Sequence, residues 1–181
     1  TSSMLAHLLK QSPVDCNAFL GGILKNYESN LMLSDTSDFT VIEADEFDRS
    51  FHWLTPYMAG ITSADPDHLD IYGTHEALRE AFSAYRESFE KFTSLIRPDG
   101  CLLIKKGINV TPRLQEGVKK YTYSVTEIAD FYAENIRICD GNITFDFVGP
   151  EIRIPDVELG VPVKVNIENG VAAMAIAWLN G

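Results

Sequence analysis

The sequence predicts an α/β fold: a mostly parallel sheet flanked by helices, with a small antiparallel β subdomain attached. Two observations carry this. Apolar strand-like runs alternate with helix-period segments in the first half, at the spacing of parallel strand–helix–strand units. From about residue 120 the helix period gives way to short alternating strands and a hairpin signal. The composition agrees, with 45% apolar and 23% charged residues over 181 residues, ordinary globular usage and enough chain for a real core.

In chain order, Met4, Leu5, Leu8 and Leu9 fall at helical spacing behind Thr1, Ser2 and Ser3. Phe39–Ala44 reads as a buried strand that ends in acids, and Tyr57–Thr62 as a second strand. A long helix follows over about 74–96, with Leu78, Ala81, Phe82, Tyr85, Phe89, Phe92 and Leu95 on one face. Pro98-Asp99-Gly100 ends it, and Cys101–Ile104 is a third buried strand. Residues 121–125, 131–133, 135–139 and 143–147 are short strands, with Asp140-Gly141-Asn142 as a turn between the last two. A final helix is expected over 170–181, with Val171, Met174, Ala175, Trp178 and Leu179 as its apolar stripe. A chain that begins and ends on helices reads as a piece cut from a longer protein.

Lys plus Arg number 15 against 26 Asp plus Glu, a net charge of -11. That balance argues against a nucleic-acid or anionic-membrane surface, since both need clustered cations. No apolar run approaches transmembrane length, and the first residues lack a basic leader, so a cytoplasmic location is expected. Cys16, Cys101 and Cys139 are widely spaced without a C-x-x-C pair. They read as reduced thiols rather than a zinc cage or a disulfide framework.

Ligands of open α/β sheets bind beyond the carboxyl ends of the strands, and two such ends are polar here. Glu43, Asp45, Glu46 and Asp48 form one cluster; Asp65, Asp67, His68 and Asp70 form the other. Each cluster alone is compatible with a solvated loop, and the lone His68 with a structural role. Together, directly after apolar strands, they favour a site. Carboxylates with an imidazole suit magnesium or manganese, which would let an acidic pocket accept phosphates. Asp67 and Asp70 are placed to orient the His68 ring. His7, His52 and His75 have no comparable setting. Asn166 and Asn169 lie three apart at a helix start. Simple N-capping is one reading; paired carboxamides reading a purine edge is the other.

These residues together resemble the central domain of the Mur ligases, ATP-dependent amide-forming enzymes of peptidoglycan synthesis. The stretch Glu-Ala-Asp-Glu-Phe-Asp-Arg-Ser-Phe at 43–51 is similar to the EADExDxSF of the alanine-adding member. Residues 61–73 are similar to the family's T-N-x-x-x-D-H-x-D segment, and Asn166/Asn169 to its H-N-x-x-N-x-x-A-A segment. The resemblance covers essentially the whole chain, 1–181, as one central ATPase domain with a P-loop-type sheet. It implies that the glycine-rich phosphate loop and the flanking amino- and carboxy-terminal domains lie outside this chain, and that the fragment alone would be inactive.

The resemblance also implies roles. Glu43 would bind the magnesium that bridges the ATP phosphates, and His68 a second magnesium near the substrate carboxylate. Asn166 and Asn169 would contact adenine. Asp45, Glu46 and Asp67 would serve the substrate or support the metal ligands. UDP-N-acetylmuramate and L-alanine would be the substrates. The sequence departs from the family at Ser63, where Asn is usual, at Val165, where His is usual, and at Phe82, which matches a lysine of several later-acting members. Phe82 fits the alanine-adding branch. The murein tripeptide recycling ligase is the rival within the family, and its longer insertion before D-H-x-D is absent between Glu43 and His68. A non-catalytic binding module with an acidic rim is the rival outside it.

Overall fold

The computed structural model describes residues 1–44, 49–64, 75–160 and 163–181, with backbone only over 75–79. Two compact units emerge, residues 1–44 with 122–181, and residues 45–121.

In the first unit, α1 (Ser2–Lys10) buries Leu5, Ala6 and Leu9. The three residues lie on one face at i, i+1 and i+4, and α1 packs on β1 (Asn17–Leu24) and β3 (Thr40–Ile42). β1 pairs antiparallel with β2 (Ser29–Met32) and parallel with β3, in register Phe19 with Ile42. Neither β1 nor β2 was expected from the sequence. The reason is that only alternate residues of this small sheet are buried: Ala18, Leu20, Met32 and Val41 face the core, whereas Phe19, Leu31 and Ile42 are exposed. The expectation of a buried strand over 39–44 is corrected on the same ground, since β3 spans only Thr40–Ile42 and only Val41 in it is buried.

The alternating-strand region gives β6 (Lys119–Ser124), β7 (Phe131–Cys139), β8 (Asn142–Gly149) and β9 (Ile152–Leu159). The end of β6 runs parallel to β7, and β7, β8 and β9 form an antiparallel meander. The short link from β6 to β7 is clipped by Asp130, whose Oδ2 accepts from the Thr122 amide at 2.7 Å and the Thr122 hydroxyl at 2.8 Å. Phe145 and Phe147 are fully buried, each worth about 1.5–3 kcal/mol relative to exposure. Between them Asp146 accepts from Asn135 and Arg153, both at 2.8 Å, and from the Asp156 amide at 3.0 Å. Asn135 and Asp156 take positive φ of 51° and 54° at the points where the ladder register shifts, as bulges do. The bulge at Asn135 explains why the sequence reads β7 as two strands. α3 (Val165–Leu179) closes this unit against α1, β7 and β9.

In the second unit, β4 (Met58–Ile61) and β5 (Cys101–Lys105) run parallel in register from Met58 with Cys101 to Ile61 with Ile104. α2 (His75–Thr93) connects them, preceded by a 3₁₀ turn at Ser50–Trp53. Phe51, Ala59, Ile61, Phe89, Phe92, Ile96, Leu102, Ile104 and Val110 form one core, with Tyr85 and Leu95 packed at its edge. The predicted stripe of α2 thus does bury its lower half. Phe82 departs from it, at 42% exposure.

Candidate functional site

β1 and β3 bring the first site together. The ladder of the parallel pair continues one step past β3, where the Glu43 amide donates to the Phe19 carbonyl at 3.1 Å. This fixes the backbone of Glu43 at the carboxyl end of β3. Its side chain folds back over β1, and Oε2 accepts from the Gly21 amide at 2.9 Å. Gly21 is needed for that approach, because a Cβ there would lie 3.3 Å from the carboxylate carbon and from both oxygens. Glu43 is otherwise exposed, so its carboxylate faces solvent.

The amino end of α1 lies beside this carboxylate. The Glu43 carboxylate is within electrostatic range of the Thr1 nitrogen. Thr1 supplies the carbonyl that accepts from the Leu5 amide at 3.0 Å. No acidic residue occupies the first turn of α1, so within α1 no carboxylate offsets the positive sense of the helix dipole towards this end. The Thr1 hydroxyl donates to Asn169 Oδ1 at 2.6 Å, and Asn169 Nδ2 donates to Asn166 Oδ1 at 3.3 Å.

One carboxylate, one helix amino end and two carboxamides therefore converge. An oxygen ligand beside a dipole end that favours anions suits a divalent cation carrying phosphates. Among the described residues no three of His, Cys, Asp or Glu cluster as a metal cage. That donor set fits magnesium, which is held by one or two carboxylates and takes its other ligands from phosphate oxygens and water.

The structure thus brings together three of the predicted groups, Glu43, Asn166 and Asn169. Asp45, Glu46, Asp67 and His68 lie outside the described residues. The capping reading of the asparagines is corrected: α3 begins earlier than expected, its N-cap is Lys164, and both asparagines sit inside the first two turns. Two participants were missed, Thr1 and Gly21. A glycine pair inside a strand pattern, as at Gly21-Gly22, is the signal of a close backbone approach and was legible. The histidines left aside are satisfied locally where described. His7 Nδ1 meets the Tyr27 hydroxyl at 3.0 Å, and His52 Nε2 lies 2.9 Å from the Ser88 carbonyl.

The family profile of the Mur ligase middle domain matches residues 1–177. A protein of Parabacteroides distasonis called UDP-N-acetylmuramate–L-alanine ligase is 95% identical over all 181 residues. Proteins of the same name from Phocaeicola vulgatus and Porphyromonas gingivalis are 64% and 60% identical across the whole chain. The chain spans only 38% of the length of each of these relatives. Among solved structures, the UDP-N-acetylmuramate:L-alanyl-gamma-D-glutamyl-meso-diaminopimelate ligase of Neisseria meningitides superposes with a TM-score of 0.76 at 22% identity, covering 98% of this chain and 56% of that one. The UDP-N-acetylmuramate-alanine ligase of Thermotoga maritima gives 0.72 at 24% identity, over 97% of this chain and 37% of that one. At those identities the likeness shows the fold. The family profile, with the identity to the bacterial relatives, settles that this chain belongs to the Mur ligase family, through its middle domain.

Proposed function

We propose that this chain is the nucleotide-binding middle part of a longer ligase that joins L-alanine to UDP-N-acetylmuramate at the expense of ATP, in peptidoglycan synthesis. The observation that carries the reading is the convergence of Glu43, the amino end of α1 and the Asn166/Asn169 pair. The alanine-adding branch is favoured over the murein tripeptide ligase by the relatives, which carry the alanine-ligase name from 95% down to 33% identity.

The chemistry divides as follows. A free carboxylate has no good leaving group, so an oxygen of the substrate's lactyl carboxylate attacks the γ-phosphorus of ATP and the bond to ADP breaks. The L-alanine amine then attacks the acyl carbon, loses a proton, and expels phosphate as the amide forms. The amino end of α1 binds phosphate oxygens through its N–H groups. Asn166 and Asn169 present donor and acceptor atoms for the adenine edge. Glu43, held by Gly21, would hold magnesium, and His68 a second ion, with Asp45, Glu46 and Asp67 beside them. When bound, magnesium offsets the crowded negative charge of phosphates and carboxylate.

No helix among the described residues is long and apolar enough to cross a membrane, which is consistent with an enzyme acting on soluble precursors in the cytoplasm. The test uses the full-length protein. Replacing Glu43 or His68 by alanine is expected to reduce ADP release with both substrates by about a hundredfold or more, with an unchanged unfolding midpoint. Near-full activity in both variants would remove the metal assignment.

A further inference from the structure

Threonine before the first turn of a helix is a favoured N-cap, its side-chain oxygen accepting from an amide of that turn. Thr1 holds this place before α1 and makes no such bond. Its hydroxyl donates instead to Asn169 Oδ1 at 2.6 Å, across the packed helices α1 and α3. Asn169 Nδ2 in turn donates to Asn166 Oδ1 at 3.3 Å, one turn earlier in α3. All three residues are half-buried and lie in one compact unit.

This chain of bonds has a direction. The two ends of a carboxamide have nearly the same shape, but the oxygen accepts and the nitrogen donates. The terminal torsion of asparagine is broad and two-fold, so shape alone does not choose between its two orientations. The contact with Thr1 does choose. At 2.6 Å it falls within the range of O–H···O bonds and below that of N–H···O bonds, so the oxygen of Asn169 faces Thr1. Asn169 Nδ2 is thereby turned to Asn166, and the hydroxyl orients the pair from one end.

We propose that Thr1 is a positioning residue that determines base specificity: it fixes the carboxamides of Asn169 and Asn166 so that they select a 6-amino purine over a 6-oxo purine. This role rests on the reading that the pair meets the adenine edge. Adenine offers the acceptor N7 beside a donor amino group, whereas a 6-oxo purine offers N7 beside a second acceptor. A pair held in one orientation matches one of these patterns only. The other pattern sets an acceptor against an acceptor, and an unpaired polar group costs more than the bond it lacks. Without the hydroxyl, Asn169 is able to turn over, and the pair then adapts to either edge. Thr1 acts through Asn169 and not on the base itself.

Equilibrium binding by the full-length protein tests this. ATP and inosine triphosphate are titrated with magnesium present and both other substrates left out, so that no turnover intervenes. Thr1→Val removes the donor at nearly constant shape. It is expected to weaken ATP about three- to tenfold, the worth of one neutral hydrogen bond, and to leave inosine triphosphate unchanged, so that the preference for ATP falls by the same factor. Thr1→Ser keeps the hydroxyl and is expected to keep the preference. Since the hydroxyl caps nothing in α1, the unfolding midpoint without nucleotide should not move; should valine crowd the helix contact and lower it, Thr1→Ala serves in its place. Asn169→Ala separates this role from the reading beneath it. If Asn169→Ala binds both nucleotides as the parent does, the base contact is wrong and the role of Thr1 goes with it. If Asn169→Ala loses the preference while Thr1→Val keeps it, the role of Thr1 alone is overturned. A Thr1→Ser variant that behaves like Thr1→Val overturns it as well, because the methyl group and not the hydroxyl would then be responsible.

Discussion

Two parallel strand pairs of this chain are continued by different loops. Beyond β1 and β3 stand a carboxylate, a helix amino end and two carboxamides. Beyond β4 and β5 stand two lysines, an arginine and hydroxyls. In both, the chain continues past the carboxyl ends of two adjacent parallel strands. What differs is the loop that follows, and beyond β1 and β3 the residues there suit a cation with its phosphates.

A pair of glycine substitutions would separate site from scaffold. At Gly100, where β5 begins, a Cβ would stand 2.2 Å from the Tyr57 carbonyl oxygen and 2.9 Å from that of Arg97. Both obstacles are backbone, so the strand itself must move. Gly100→Ala is therefore expected to cost about 2–3 kcal/mol, visible as a lower thermal midpoint and loss of soluble protein. At Gly21 the obstacle is the Glu43 side chain at 3.3 Å, which can swing aside by a few tenths of an ångström. Gly21→Ala is expected to leave the midpoint unchanged and to lower ADP release by about tenfold. The contrast fails if Gly21→Ala unfolds the protein, or if Gly100→Ala is as stable as the parent.

Much of this comparison was legible before the structure. Glu43 and the asparagine pair stand out because their residue types suit a metal and a purine, and the structure joins the asparagines directly. The parallel strands β3, β4 and β5 are legible from their apolar runs. β1 and β2 are not, because half of each faces outward and Gly21-Gly22 interrupts the alternation. β9 is hidden for a similar reason: Pro155 and Asp156 sit mid-strand, and its residues are exposed or only half-buried.

A smaller effect is expected at the link between α1 and β1. Asp15 takes φ 53° there. Its carboxylate receives Lys10 Nζ at 2.7 Å, the Ser34 hydroxyl at 2.5 Å and the Cys16 amide at 2.7 Å. Lys10 foremost, then Ser34 and Cys16, hold its pKa at about 2, below the ordinary value of 3.8. A carboxylate whose folded pKa is depressed stabilises the fold above its unfolded pKa, and loses that contribution as pH falls through the folded one. The window here is about pH 4 down to about pH 2. Asp15→Asn tolerates the same positive φ but loses the charge. The variant should melt slightly below the parent at pH 7 and converge with it by pH 2. Curves that stay parallel across that range would show that the Asp15 charge contributes nothing.

The three thiols extend the comparison to reactivity, with the smallest consequences for the fold. Burial pushes the Cys101 thiol up to about 11, partly opposed by Lys119, and raises Cys16 as well. Cys16 also points its thiol at the Ala6 carbonyl, 3.6 Å away. Cys139, at the end of β7, is exposed. Since the thiolate is the reacting species, reaction with a maleimide at pH 7.5 should label Cys139 alone in the native protein. Cys16 and Cys101 should label only at the rate at which their own unit opens. Cys16 lies in the unit that holds Glu43, and Cys101 lies in β5 of the other. Their labelling rates therefore read the local stability of the two strand pairs separately. Magnesium and an ATP analogue should slow labelling of Cys16 more than that of Cys101. Equal protection of both cysteines would mean that the two strand pairs open together.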